Sequence, residues 1–395
     1  MPSELENAAL RFRASLLAQE RAAAGEMVRA YAESWRRISA ELAQIEAQIA
    51  AATAAGMAPD VFQPRLPGGP VIDRSPNTFS PSWLYRRSRL QALLRQVEEE
   101  LRRFAELAAE LTEAGQRLAV EAAQANAMAL LEEAAGGDNL LLSTFRRLPK
   151  SALESFIGFS SNGSPLRALF DSLGAEASQG VQELLRSGIL MGKGPRETAR
   201  LMRRQYGMSL SRALTIARTE QLRAYREASR QVFEANDDVL AGWQWLSGAN
   251  ARTCPSCWAM HGTLHPVSES MDSHPNCRCT QIPVLKEMPL LVKPGEELFR
   301  ALPESTQRRI LGRSTWAAWQ DGAMSFGDIV GVKNDPRWGR THYAKSLREI
   351  LGAEAAQRYT DMTAVAAMND RAKVREEAAR AKKEAKAVAK EAKTP

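Results

Sequence analysis

Apolar positions in the first third of the chain recur at a helical period. Between residues 4 and 55 there is no proline and one glycine, Gly25, and Met27, Tyr31, Ser34, Ile38, Leu42, Ile45 and Ile49 fall three or four apart. That spacing predicts an unbroken helix of about 80 Å at a rise of about 1.5 Å per residue. Residues 57–81 interrupt it with Pro59, Pro64, Pro67, Gly68, Gly69, Pro70, Pro76 and Pro81, the composition of an extended connection. A second helix is predicted from about Ser82 to Ala134. There Leu90, Leu94, Val97, Leu101, Phe104, Ala108 and Leu111 alternate steps of four and three, as in a coiled-coil seam. Residues 1–135 therefore read as a long helical hairpin, either self-contained or used as a docking or oligomerisation arm.

Gly136 and Gly137 mark a boundary. Residues 140–236 read as shorter helices. One spans Ser178 to Gly188, one opens at Pro195 and stops at Gly207, and one is capped by Ser209 or Ser211 and runs to about Glu234. Between Val239 and Ser247 the period changes to two, with Trp243 and Trp245 on one side and Gln244 and Leu246 on the other. This predicts a strand, with Ile282 and Val284 as a short partner and a loop-like stretch at 248–280. Residues 296–360 return to a helical pattern with turns at Gly312, Gly322 and Gly331. The fold class is thus mainly α with a small α+β module. It divides into 1–135 (hairpin), 140–285 (module), 286–365 (C-terminal helical region) and 366–395 (basic Ala/Lys/Glu tail).

Charge sharpens the picture at the tail. The chain has 395 residues and a net charge of +7. The last 26 residues hold nine basic and five acidic side chains, contributing +4 of it. The tail is rich in helix formers but lacks an apolar stripe, so it reads as a solvated helix or as a non-specific, phosphate-neutralising contact to nucleic acid. No apolar run is long enough to cross a membrane, and the start of the chain lacks the pattern of a secretory signal.

The candidate chemistry is concentrated in one segment. All four cysteines and three of the four histidines lie between Cys254 and Cys279. Cys254-Pro-Ser-Cys257 is a CxxC knuckle, and His274-Pro-Asn-Cys277-Arg-Cys279 follows it. Two knuckles at this separation suit a closed tetrahedral zinc site, for which five groups compete: Cys254, Cys257, His274, Cys277 and Cys279. Disulfides and unliganded packed cysteines are the competing readings. His261 and His265 read as surface or hydrogen-bonded histidines. No histidine is followed by the glutamate of an HxE or HExxH motif, and the P-loop and nucleophile-elbow patterns are missing as well. The chain therefore reads as a structural protein rather than an enzyme. Two other classes compete with that: a zinc-dependent hydrolase or nuclease, and a zinc-ribbon nucleic-acid-binding protein.

One further pattern runs through residues 180–285. It begins with Ala217-Arg218-Thr219-Glu220, continues through Trp245 and Arg252-Thr253-Cys254 with Cys257 and Gly262, and closes with His274 to Cys279 and Pro283. In that order these pieces resemble the Mu F-like minor head proteins, or phage head morphogenesis proteins, of tailed bacteriophages. Two positions depart from the family's habit: Asn250 stands where an aspartate is frequent, and Arg226 where an asparagine is frequent. The resemblance implies a minor component of a phage head, assembled in the host cytoplasm and located in the virion. It also implies few copies per particle, and association with the portal protein and with major capsid or scaffold proteins.

Overall fold

The computed structural model describes residues 3–54, 87–160, 163–190, 195–290 and 292–391. In chain order the helices α1 (Glu4–Ala54) and α2 (Arg87–Ala134) are followed by the short α3 (Asn139–Leu142) and α4 (Lys150–Glu154), then by α5 (Leu166–Leu190) and α6 (Pro195–Glu234). Strand β1 (Leu240–Leu246), helix α7 (Pro255–Met260) and strands β2 (Leu264–His265) and β3 (Thr280–Leu285) form the middle module. Helices α8 (Gly295–Arg300), α9 (Glu304–Leu311) and α10 (Arg313–Gln320), the hairpin strands β4 (Val330–Asp335) and β5 (Gly339–Ala344), and helices α11 (Leu347–Leu351) and α12 (Ala353–Glu391) complete the chain. The Pro/Gly-rich connection predicted at 57–81 lies outside the described residues.

The predicted coiled-coil seam of α2 is buried, but it serves more than one partner. Phe104, Ala105 and Ala108 share a core with Met27 of α1, Phe170 of α5 and Ile216 of α6. Val97 and Leu101 meet Ile38, Val181 and Tyr206 in a second core. Glu100, Thr112 and Gln116 are buried as well, so the covered face is wider than a two-stranded seam. The long helices and the middle helices thus form one helical layer. Each fully buried large apolar side chain in it, Phe170 or Leu101 for example, contributes about 1.5–3 kcal/mol. A polar node is set into the layer: Arg37 holds Glu100 through a two-pronged contact at 2.7 and 2.8 Å, and Ser34 bridges Glu100 to Tyr206.

Two helix boundaries differ from the sequence pattern. α5 begins at Leu166, and α6 runs through Gly207 without a break. Met202, Tyr206, Ser209 and Ala213 on either side of that glycine are buried, and their packing outweighs the cost of about 1 kcal/mol that a mid-helix glycine carries.

The predicted strand pair is a three-stranded antiparallel sheet in the order β2-β1-β3. Trp243 pairs with Pro283 on one side and His265 on the other, and Trp245 pairs with Gln281. The two residues of β2 are too few to show a period in the sequence. The C-terminal region also departs from the all-helical expectation, because β4 and β5 pair over Val330–Ala344. Gly331, expected at a turn, lies within β4, and the turn falls at Pro336–Trp338, where the Asp335 carboxylate accepts the N–H groups of Arg337 and Trp338. A separate aromatic core of Trp258, Phe299, Trp319 and Phe326 joins α7 to this region.

Candidate metal centre

The local folding of the first knuckle follows from its sequence. Cys254 is the N-cap of α7, its sulfur accepts the N–H of Cys257 at 3.4 Å, and Pro255 occupies the first turn, where its missing N–H is not needed. Both sulfurs of the CxxC therefore face one side. The second knuckle turns at Asn276, whose φ of +64° suits asparagine better than most residues.

The two knuckles converge. His274 Nε2 lies 3.1 Å from the Cys254 sulfur and 3.3 Å from the Cys257 sulfur, and the Cys257 and Cys277 sulfurs are 3.7 Å apart. Cys254, Cys257 and His274 form one group close enough to share an ion, and Cys257, Cys277 and Cys279 form another. All five predicted groups are thus brought together, and the four thiols are free. A zinc ion with bonds of about 2.3 Å to sulfur and about 2.0 Å to nitrogen sets tetrahedral edges of about 3.8 Å between sulfurs and about 3.5 Å between sulfur and nitrogen. The sulfur–sulfur separation matches its edge, and the two sulfur–nitrogen separations fall short of theirs by about 0.2–0.4 Å. The Nδ1 of His274 lies 2.8 Å from the Pro275 carbonyl, which fixes the proton on that nitrogen in the neutral ring and leaves the Nε2 lone pair directed at the sulfurs. The donor set fits a soft or borderline divalent ion.

The electrostatics of the metal-free cluster follow from the same contacts. Hydrogen bonding from Cys257 overcomes burial and holds the Cys254 thiol down at about 4. Burial opposes the charge on His274, but its contacts with Cys254 and Cys277 outweigh burial and raise it to about 11. Contacts with Cys254 push Cys257 up, and contacts from Cys257 and Cys279 push Cys277 down. Without a metal, then, an imidazolium sits between thiolates.

The family-like helix motif holds the return knuckle. Arg218 on α6 donates to Asn276 Oδ1 at 3.1 Å and to Glu20 of α1 at 2.6 Å, so its partner acid comes from the N-terminal helix. Thr219 Oγ1 accepts the Asn276 N–H at 3.0 Å, and Asn276 Nδ2 donates to Thr215. Arg223 sends its fork to the Trp338 carbonyl in the β4–β5 turn. Trp243 and Trp245 share a core with Cys257, Cys277 and Cys279, where they keep water from the sulfurs.

The remaining histidines stand apart from the cluster. His261 is buried, accepts the Ser247 N–H on Nδ1, and is held down at about 4 by burial. His265 stacks on Trp243 at 4.3 Å and contacts Glu269 and Thr263. The residue that sequence reasoning missed is Arg226. It is buried and donates to the carbonyls of Cys277 and Cys279 and to Ser273 Oγ. Its departure from the family's asparagine was the available signal.

A helical layer carrying a small sheet whose loops bring four cysteines and a histidine to one point defines the class: a helix-braced Cys/His knuckle protein. Residues 179–282 match the family described as phage Mu protein F like protein, and the chain carries a Mu F-like segment over about a quarter of its length. No curated protein and no solved structure matches the chain. The matched segment takes in the end of α5, all of α6 and the knuckle. Among the described residues, no helix is long and apolar enough to cross a membrane.

Proposed function

We propose that this protein is a minor structural component of a tailed-phage head, acting in head morphogenesis. The observation that carries the reading is the family match at 179–282, which falls on the segment where α6 clamps the Cys/His knuckle. In this reading the knuckle is a structural zinc site and the chain is not an enzyme. Zinc bound by four of Cys254, Cys257, His274, Cys277 and Cys279 would act as a cross-link between two loops. The stretch 247–281 has few apolar side chains with which to hold those loops unaided. A closed, sulfur-rich donor set favours this over zinc-dependent hydrolysis or nuclease chemistry, which needs an open coordination position.

The portal protein and the major capsid or scaffold proteins are the proposed partners, with few copies of this chain per particle in the virion. Packaged double-stranded DNA is a further proposed contact through the tail. There α12 carries exposed Arg375, Arg380 and Lys382 on a helix that continues to Glu391. Mass spectrometry of purified heads tests the central reading. The account expects the full chain at low copy number relative to the shell protein, and a head preparation lacking it would refute the reading. Co-purification with co-expressed portal protein tests the partner. The DNA contact is tested by deleting 370–395, which should remove a salt-sensitive component of DNA binding.

A further inference from the structure

The C-terminal helix leaves the fold part-way along its length. α12 packs on α10 and α11 near its start: Ala356 and Tyr359 belong to the aromatic core, and Thr363 Oγ1 meets Ser314 Oγ at 3.1 Å. Past Thr363 the helix continues to Glu391. The side chains described along that stretch are exposed, among them Ala364, Met368, Arg375, Glu377, Ala381 and Lys382, and Ala367 is half-buried.

The sequence of this stretch follows a seven-residue repeat. Residues 364–391 make four heptads, abcdefg, beginning at Ala364. Position a reads Ala364, Arg371, Ala378 and Ala385, and position d reads Ala367, Val374, Ala381 and Val388. The seam is built of small residues, which is why no large apolar stripe marks the tail. Position g reads Asp370, Glu377, Glu384 and Glu391, and position e reads Met368, Arg375, Lys382 and Ala389. Four of the five acids in the last 26 residues thus stand at g, and no basic residue does. That distribution selects an orientation. In a parallel pair of helices each g residue faces the e residue five positions further on in the other helix. Glu377 then meets Lys382 of the second copy, and Asp370 falls opposite its Arg375. In an antiparallel pair g faces g and e faces e, which sets acid against acid and base against base. Within one helix residues five apart are not neighbours, so the match of Glu377 to Lys382 goes unused in a lone helix.

We propose that α12 beyond Thr363 is a dimerisation arm, pairing in parallel with the same helix of a second copy of this chain. Alanine at a and d lets the two backbones approach closely but buries little apolar area, so the association is reversible. The charges at e and g set its direction, and Arg371 at one a position favours a single register at a cost in affinity. Positions b, c and f, away from the seam, hold Lys373, Arg380, Lys383, Lys386 and Lys390 against one acid, Glu376. Pairing therefore leaves most of the tail's positive charge on the outside, and the nucleic-acid contact proposed above stands or falls separately.

Sedimentation equilibrium of the full-length chain over a concentration series tests this. The expected result is a reversible monomer–dimer equilibrium that approaches about 87 kDa, twice the 43.5 kDa of one chain. Deletion of 364–395 should leave a monomer. Glu377→Lys should weaken dimerisation by about tenfold, since a dimer holds the pair twice and each exposed pair is worth a few-fold. Lys382→Glu should do the same. Glu377→Lys combined with Lys382→Glu in one chain remakes the pair in a parallel dimer, so the dissociation constant should return to within a few-fold of the wild-type value. A wild-type chain that stays monomeric across the series, or a dimer that survives deletion of 364–395, overturns the proposal. A combined variant as weak as either single one overturns the parallel pairing.

Discussion

Asn276 joins the helical layer to the return knuckle, and its replacement isolates that joint. Three contributions are set at this residue: a positive φ of +64°, a hydrogen bond from Arg218 at 3.1 Å, and one to Thr215 at 3.2 Å. Alanine in the left-handed region costs about 1 kcal/mol that asparagine largely avoids. Loss of the neutral bond to Thr215 costs about 1 kcal/mol, and loss of the charge-assisted bond from Arg218 about 1.5 kcal/mol or more. The residue is partly exposed, which lets water replace some of this, so Asn276→Ala should destabilise the chain by about 3 kcal/mol. Asn276→Asp keeps the tolerated backbone conformation and the acceptor for Arg218, and should stay within about 1 kcal/mol of the wild type. Urea unfolding of the full chain, followed by tryptophan fluorescence, reads both, since Trp243, Trp245 and Trp258 are buried in or beside the module. The reasoning is refuted if Asn276→Ala unfolds at the wild-type urea concentration, or if Asn276→Asp is as damaging as alanine.

Further outcomes follow from other parts of the molecule. In the metal-free protein His274 is raised to about 11 and Cys257 and Cys279 are pushed up, so at neutral pH these groups carry protons that a metal must displace where they bind it. Zinc uptake should therefore release about two or three protons per ion in weakly buffered solution, depending on which of these groups bind, and affinity should rise with pH; proton-neutral binding would contradict this. Gly262 has a φ of +80°, and a Cβ there would lie 2.5 Å from the Lys293 carbonyl oxygen. Gly262→Ala should cost about 2 kcal/mol or more, and an unchanged denaturation midpoint would show that the crossing of these two loops is not as described. Phe299 is fully buried among Trp258, Trp319 and Phe326, so Phe299→Ala should cost about 3–5 kcal/mol. Hydrogen exchange should place the loosening in the 295–356 region while the α2–α6 amides stay protected.

Much of this architecture is legible in the residue pattern because it rests on strong local signals. The long amphipathic runs mark α1 and α2, the Trp243/Trp245 alternation marks β1, and the spacing of the two knuckles points to the convergence of all five sulfur and imidazole groups. What escaped was set by tertiary context. Gly207 looks like a helix end, yet α6 passes through it because both flanks are packed. The hairpin β4–β5 shows little alternation, since Lys333 and Asn334 are exposed and only the Asp335–Gly339 turn carries a signal. For Arg226 the departure from the family's asparagine marks the position but not its role, because its acceptors, the Cys277 and Cys279 carbonyls and Ser273 Oγ, lie about fifty residues away.

Zinc stoichiometry combined with X-ray absorption at the metal edge, on the purified full-length chain, bears most directly on the claim that the knuckle is a metal-clamped structural joint. The account predicts one zinc per chain in a closed shell of three or four sulfurs and at most one nitrogen. A chain isolated with its cysteines joined as disulfides, or a zinc shell dominated by oxygen with an open position, would contradict it.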